Sequence, residues 1–223
     1  MTTARRLLPP SLRPSLRSLP GVLLVSSLLL AGCGEADGPP TDPPDTLPAE
    51  IEEMVLARGG PAADKLAQGL VSRLTEAMDE GGTVHAVEFC AEEAIPLTRQ
   101  IEAEVEGGME LKRATLRWRN SDNAPDEWER RVLEYLTAQE RDGEGAPGEL
   151  AAAGPGGTLR YYRTLRTAPL CLSCHGDEAS MDPEVLQAID RAYPEDRARG
   201  YEEGEFRGVI RVQLPVPGET GTP

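Results

Sequence analysis

Apolar residues recur at helical spacing through the first half of the chain. The stripe begins near Ile51, is interrupted by residues 59–61 (Gly-Gly-Pro), and continues at intervals of three and four residues to residues 81–82 (Gly-Gly). This spacing places the apolar side chains on one helix face, and the paired glycines favour a helix end. The pattern therefore predicts a helix that starts near Ala49.

A second helical pattern follows, with Thr83 as a suitable cap. Its apolar positions lie at spacings of three, four and seven, and Cys90 shares their face. We therefore expect the thiol of Cys90 to point inward among apolar neighbours. Pro96 should kink or break this helix, because proline lacks the amide hydrogen and crowds the preceding turn.

The second half of the chain alternates apolar and polar positions, which is typical of strands. Two helices are predicted between them, one capped by Asn123 and one starting at Asp182, and residues 142–157 are expected to form a loop or bulged hairpin. Helices followed by antiparallel strands predict an α+β fold with a helix-flanked sheet. Strands are predicted over residues 110–119, 158–167 and 206–214.

Residues 1–32 have the pattern of a secretory signal peptide. Four arginines and no acidic residue precede a short apolar run at residues 22–30, and Leu30-Ala31-Gly32-Cys33 resembles the lipobox of bacterial lipoproteins. We expect cleavage before Cys33, lipid on this cysteine, and export to the periplasmic side of a bacterial membrane. Residues 33–48, rich in Gly, Pro, Asp and Thr, are expected to form a tether. The alternative is a plain secreted protein with an unused cysteine.

The chain is strongly acidic. It has 23 basic and 38 acidic residues, and because four of the basic residues precede Cys33, the remainder keeps 19 basic against 38 acidic residues. A surface of this charge argues against nucleic acid, and against anionic lipid bound by charge.

Cys171-Leu172-Ser173-Cys174-His175 forms the pattern Cys-x-x-Cys-His, which is the attachment signature of a c-type haem. Two thiols three positions apart can bond the two vinyl groups of one porphyrin, and the adjacent imidazole can ligate its iron. The sequence therefore predicts one covalent haem c. Export agrees with this, because haem attachment in bacteria takes place on exported proteins.

Other uses of these residues stay open. Zinc could be bound by the motif together with Cys90 and His85. The other three cysteines are assigned to lipid or haem, which leaves Cys90. It is either a buried inert thiol or an iron ligand. Arg117 and Arg119 either face solvent or pair with haem propionates, and Tyr162 either packs in the core or contacts the haem.

Several stretches resemble the bacterial c-type haem proteins with a PAS-like sensor fold, a family first described from a stand-alone cyanobacterial member. They keep their order and spacing over roughly residues 60–214, and Ser121 is a departure, because the family usually has proline there. The matching stretches are residues 86–90 (Ala-Val-Glu-Phe-Cys), 119–129, 161–162 (Tyr-Tyr), 171–176 (Cys-Leu-Ser-Cys-His-Gly) and 193–208.

The resemblance implies a PAS-like antiparallel sheet flanked by helices over residues 49–215, with a long N-terminal helix. It also implies haem c on the Cys-x-x-Cys-His motif and a distal iron ligand at the position of Cys90. Residues 216–223 are expected to form a loose tail. Similar domains are fused to signalling modules, and none follows here, so we expect any signal to pass to a separate redox or signalling protein.

Three functions are compatible with such a haem. A redox or small-ligand sensor is predicted if a thiolate opposite the histidine can leave the iron. A single-haem electron carrier would have a site that changes little with oxidation state. A peroxidase would require a persistently open distal site with a general base, and the sequence offers no convincing base, so no enzyme activity is expected.

Overall fold

The computed structural model describes residues 44–215, which form an α+β fold of five α-helices and four β-strands. The helices are α1 (Ala49–Glu92), α2 (Ala94–Glu104), α3 (Glu127–Arg141), α4 (Leu172–His175) and α5 (Pro183–Ala192). The strands are β1 (Glu110–Ala114), β2 (Glu149–Ala153), β3 (Leu159–Arg166) and β4 (Phe206–Leu214).

The four strands form one antiparallel sheet in the order β1-β4-β3-β2. The helix-flanked antiparallel sheet and the long N-terminal helix confirm the predicted fold class. The stretch expected as a loop or bulged hairpin contributes β2, whose register pairs Ala151 with Tyr161 of β3.

Helices cover both faces of the sheet. α1 packs on one face, where Leu66 meets Tyr161 and Ile210, while α3 packs on the other, where Leu133 meets Tyr162. Because successive side chains of a strand point to opposite faces, the adjacent Tyr161 and Tyr162 belong to different cores.

The glycines and proline at residues 59–61 do not interrupt α1, contrary to the sequence prediction. A Cβ atom on Gly59 would lie 2.3 Å from the Cβ of Tyr161, so glycine allows the helix to approach β3 closely. The later pair does break the helix: Gly82 has φ 75° and ψ −170°, and α1 bends there before its last ten residues. A second break at Glu93 separates α1 from α2, and Pro96 lies in the first turn of α2.

Two other boundaries differ from the sequence prediction. β1 ends at Ala114 rather than near residue 119, because the next amide, that of Thr115, donates to the carbonyl of Asn123 and leaves the ladder. α3 is capped by Asp126 rather than Asn123. Asp126 accepts from the Glu129 amide, and the Glu129 side chain accepts from the Asp126 amide, which is the reciprocal capping box.

The predicted signal peptide, Cys33, most of the predicted tether and the predicted tail lie outside the described residues. Across residues 44–215, no helix combines the length and the apolar character needed to span a membrane.

Candidate cofactor site

The Cys-x-x-Cys-His motif occupies a short helical turn after β3. A 3-10 turn at Pro169–Cys171 leads directly into α4, so Cys171, Cys174 and His175 follow one another around one tight turn. Gly176 ends this turn, and a Cβ atom there would lie 2.7 Å from the carbonyl oxygen of Leu172. The glycine is therefore required for the chain to leave the turn in this direction.

A loop before β4, residues 196–201, holds the motif from behind. The amide of Tyr201 donates to the carbonyl of His175 at 2.9 Å, and the amide of Gly200 donates to that of Gly176 at 2.7 Å. Nδ1 of His175 lies 2.7 Å from the carbonyl oxygen of Ala198. Because a carbonyl oxygen only accepts, Nδ1 carries the hydrogen, and Nε2 keeps the lone pair with which an imidazole binds metal.

Arg119 and Asp196 join this loop to the motif. The Nη2 atom of Arg119 donates to the carbonyl of Cys174 at 2.6 Å, and its Nε atom donates to Asp196 at 3.1 Å. Asp196 also accepts from the amide of Ala198 at 2.9 Å and from Arg199 at 2.7 Å. Both partners of the ion pair are buried, with side chains 9% and 2% exposed. The pair therefore fixes the carbonyl that orients His175.

Tyr201 supports His175 from the side. The two rings meet edge to face, with centroids 6.3 Å apart and an interplanar angle of 86°. The guanidinium groups of Arg117 and Arg207 lie 3.8 Å and 4.9 Å from the centre of the Tyr201 ring. Arg117 also pairs with Glu205 at 3.1 Å, so it contacts the motif through Tyr201.

A cavity of about 250 Å³ lies between α1, α2 and the sheet, and His175, Cys171 and Cys90 all line it. Its walls are otherwise mostly apolar and contain no acidic residue. Cys174 is partly buried beside Val87 in the adjoining cluster under α5. Thus the structure brings the motif and the spare thiol to one space from separate elements, Cys90 on α1 and His175 on α4.

Burial dominates the acid–base behaviour of this cavity. It raises the pKa of Cys90, although the positive charges of Arg113 and Arg119 act against this, and it raises the pKa of Cys174 to about 11. It also lowers the pKa of His175 well below its usual value, with the charges of Arg119 and Arg207 acting in the same direction. His175 is therefore a neutral imidazole, as a metal ligand must be.

The zinc alternative finds no support in the described residues. His85 lies at the surface, 3.8 Å from Glu80 and 3.6 Å from Glu88. Residues 44–215 contain no group of three His, Cys, Asp or Glu side chains arranged to hold a metal ion. By contrast, two thiols and an imidazole on one turn, a thiol on α1 and apolar walls suit a haem.

The remaining predicted site residues lie away from the cavity wall. Arg117 and Arg119 lie behind the motif and donate hydrogen bonds to acceptors of the protein itself. Tyr162 is buried under α3, on the opposite face of the sheet. Their contact with a haem stays a prediction. The cavity is instead lined by Arg113 and Arg207, which sequence reasoning missed. A signal for Arg113 was present, since it shares a strand face with the apolar Leu111.

Comparisons with known proteins bear on the family and the fold of the chain. The model of the family described as Tll0287-like matches residues 35–215. Among solved structures, the crystal structure of the cyanobacterial haem protein Tll0287 is similar, with 21% sequence identity and a TM-score of 0.52. The match covers 76% of this chain and 97% of that one, and at this identity it shows a shared fold. A search of the curated proteins finds no match.

Proposed function

Because the chain belongs to the Tll0287-like family, we propose that it binds one haem c covalently through Cys171 and Cys174, with His175 as the proximal iron ligand. The observation that carries this proposal is the shared cavity, which is lined by Cys171 and His175 of the motif and by Cys90 from a separate element. The cyanobacterial relative is itself a haem protein, and its fold is the fold of this chain. The haem would supply one-electron chemistry.

Cys90 is the distal ligand in this proposal. It lines the same cavity as His175, and no disulfide engages it among the described residues. Apolar side chains of α1 surround Cys90 on the cavity wall, and no methionine of the described residues lines it. With Cys90 bound as a thiolate, the site would favour ferric iron and have a lowered reduction potential.

The site is suited to a redox or small-ligand sensor. Cys90 belongs to residues 83–92, a helical segment bounded by the bend at Gly82 and the break at Glu93. Val87 of this segment packs on α5, against Val185 and Ile189. Release of Cys90 would free this segment to shift against α5 and would open a coordination position. A change of this kind could be passed to a partner protein.

A single-haem electron carrier is the second candidate, and two exposed apolar residues favour it. Val71 lines the cavity and is 56% exposed, and Leu170, next to Cys171, is 39% exposed. An apolar rim beside a haem edge would suit a redox partner. This candidate requires the iron ligands to stay in place when the oxidation state changes.

We further propose that Cys33 is lipidated and anchors the protein to the periplasmic face of a bacterial membrane. The basic, apolar and lipobox segments of the first 33 residues support this. Export would also give the haem motif access to the machinery that attaches haem c.

The ligand assignment is tested by the absorption spectrum of the holoprotein and of Cys90→Ala and Cys90→Ser variants. We expect the ferric spectrum of the wild type to have the features of a thiolate ligand, and both variants to lose them. Ala94→Ser is the matched control, because Ala94 lines the same cavity from α2 and its change leaves Cys90 intact. Wild-type spectra in both Cys90 variants would remove this residue from the iron.

Reduction separates the two candidate functions. In a sensor, reduction weakens the Cys90 contact, so the ferrous wild-type protein binds carbon monoxide as readily as ferrous Cys90→Ala. In a carrier, the ferrous wild-type protein stays six-coordinate and does not bind carbon monoxide, whereas the variant does. The second outcome would contradict the sensor.

A further inference from the structure

We propose that Arg113 and Arg207 bind the two haem propionates inside the cavity. This inference rests on the proposed function and adds to it the residues that receive the acidic groups of the cofactor. They are the two cations of the cavity wall that have no carboxylate partner among the described residues.

Arg113 lines the cavity and has a buried donor atom without a partner among the described residues. It lies next to the last residue of β1, on the sheet face that carries Leu111. Its Nε atom is buried and has no hydrogen-bond partner within residues 44–215, and no ion pair involves its guanidinium there. Native structures rarely leave a buried donor without an acceptor, so this Nε atom indicates an acceptor that a ligand supplies.

Arg207 also lines the cavity, but unlike Arg113 it donates hydrogen bonds to neighbouring residues. From the start of β4, its Nη1 atom donates to the hydroxyl of Thr115 and to the carbonyl of Arg117, both at 3.0 Å. These acceptors are neutral, so they fix the side chain without balancing its charge. The remaining edge of the guanidinium is available for a carboxylate, which it can bind with two parallel hydrogen bonds.

The charges of the cavity balance only with an acidic ligand. The third arginine on its wall, Arg166, pairs with Glu140, and no acidic residue lines the cavity. No carboxylate therefore balances the positive charges of Arg113 and Arg207, although the chain has 38 acidic residues. A ferric haem with one thiolate and one imidazole ligand carries one positive charge on its core, one negative charge on the thiolate and two on its propionates. Its net charge of minus two matches the two arginines.

Arg117 and Arg119 are less suited to this task. Arg119 donates to Asp196 and to two backbone carbonyls behind the motif. Arg117 pairs with Glu205 and stacks on Tyr201. Their charges are already compensated by Asp196 and Glu205, whereas those of Arg113 and Arg207 are not.

The test is the resonance Raman spectrum of the holoprotein, in which the propionate bending band reports hydrogen bonds to the carboxylates. In the wild type we expect this band at the position of strongly hydrogen-bonded propionates. Arg113→Gln and Arg207→Gln should each shift it to lower frequency, and each should make the reduction potential more dependent on pH between about pH 5 and pH 8. The dependence arises because a propionate without its arginine takes up a proton in this range.

Arg163→Gln is the matched control, because Arg163 lies on β3 but pairs with Asp64 at 3.0 Å, outside the cavity. It should leave the band and the pH dependence unchanged. Arg113→Lys and Arg207→Lys separate geometry from charge, since lysine keeps the charge but loses the paired donors; we expect an intermediate shift.

Three results would overturn the inference. The first is a wild-type band at the position of free propionates, which needs no variant at all. The second is a band that stays in place in both glutamine variants, and the third is an equal shift in Arg163→Gln. A purified protein without covalent haem would contradict the proposed function instead, so the two failures are distinguishable.

Discussion

Asp196 is the residue on which the contacts behind the haem motif converge. Burial alone would raise the pKa of its carboxyl, but hydrogen bonds from Arg119 and Arg199 outweigh burial and hold that pKa below its usual value. A carboxyl whose pKa is lowered by folding contributes stability above its unfolded pKa, about 3.9, and this stability is lost as the pH falls through the folded pKa.

We therefore predict that Asp196→Asn lowers the free energy of unfolding by about 3 kcal/mol near neutral pH, because it leaves the buried Arg119 without its charge partner. The difference from the wild type should stay constant down to about pH 4 and shrink below it. Urea unfolding of the holoprotein at a series of pH values measures this.

Asp190→Asn is the control for that experiment. Asp190 also pairs with Arg199, but its side chain is 63% exposed, so its loss should cost less than about 1 kcal/mol. Equal effects of the two substitutions, or an Asp196 effect that grows as the pH falls below 4, would contradict the role assigned to the buried pair.

Among individual site residues, the sequence predicts those that belong to one contiguous motif. Cys171, Cys174 and His175 are adjacent along the chain, and the chemistry of haem attachment dictates their spacing. Arg113 and Arg207 are not predictable in this way, because 94 positions of sequence separate them and they meet at the cavity only through the pairing of β1 with β4. Asp196 and Ala198 act through a loop whose path the pattern of apolar residues does not determine.

Helix α1 determines where the cavity lies. Two of its glycines affect the helix in opposite ways, since one allows it to continue and the other breaks it. The residues at 59–61 have low helix propensity, which favours a break. The helix stays continuous there because Gly59 packs against Tyr161 of the sheet, and this packing outweighs the low propensity. Gly82 does break the helix, since φ of 75° with ψ of −170° is almost restricted to glycine. Composition alone does not distinguish these two cases.

We predict that Gly59→Ala lowers the free energy of unfolding by about 1–3 kcal/mol, because the added methyl group overlaps the Tyr161 side chain. Gly60→Ala provides a neighbouring control. Its new methyl group would have no atom closer than 3.7 Å, so it should be neutral or stabilise the helix by up to about 1 kcal/mol. Denaturant unfolding distinguishes the two, and similar values for both would contradict the close contact between α1 and β3.

The bend at Gly82 is expected to matter for the ligand as well as for stability. Gly82→Ala should cost about 1–3 kcal/mol, because a side chain is strained at this backbone conformation. It should also shift the segment that carries Cys90, so the ferric spectrum should show a mixture of ligand states. A variant with the stability and spectrum of the wild type would mean that the bend does not hold Cys90 in place.

At the scale of the whole molecule, the proposed haem would compensate the arginine charges that line the cavity. A haem-free protein would keep Arg113 and Arg207 facing a space without acidic residues. We therefore predict that Cys171→Ala/Cys174→Ala, which would prevent the proposed attachment, lowers the free energy of unfolding by at least about 3 kcal/mol. Calorimetry of the purified proteins measures this, and equal unfolding temperatures would contradict a structural role for the cofactor.

The fold class was predictable at this scale because helical patterns fill the chain up to about residue 104, and strand patterns with two further helices between them follow. The sheet order β1-β4-β3-β2 was not, since no local pattern states which strands become neighbours. This order puts β4 between β1 and β3, and it thereby brings Arg207 and Arg113 to the same cavity.

The central claim is that two thiols of this chain carry one haem covalently, and mass spectrometry of the denatured protein tests it most directly. The protein is purified from a host that matures c-type cytochromes and is compared with Cys171→Ala/Cys174→Ala. We predict that the wild-type chain keeps the added mass of one haem after denaturation and acid–acetone extraction, and that the double variant has the mass of the polypeptide alone. A wild-type mass without haem would contradict the claim.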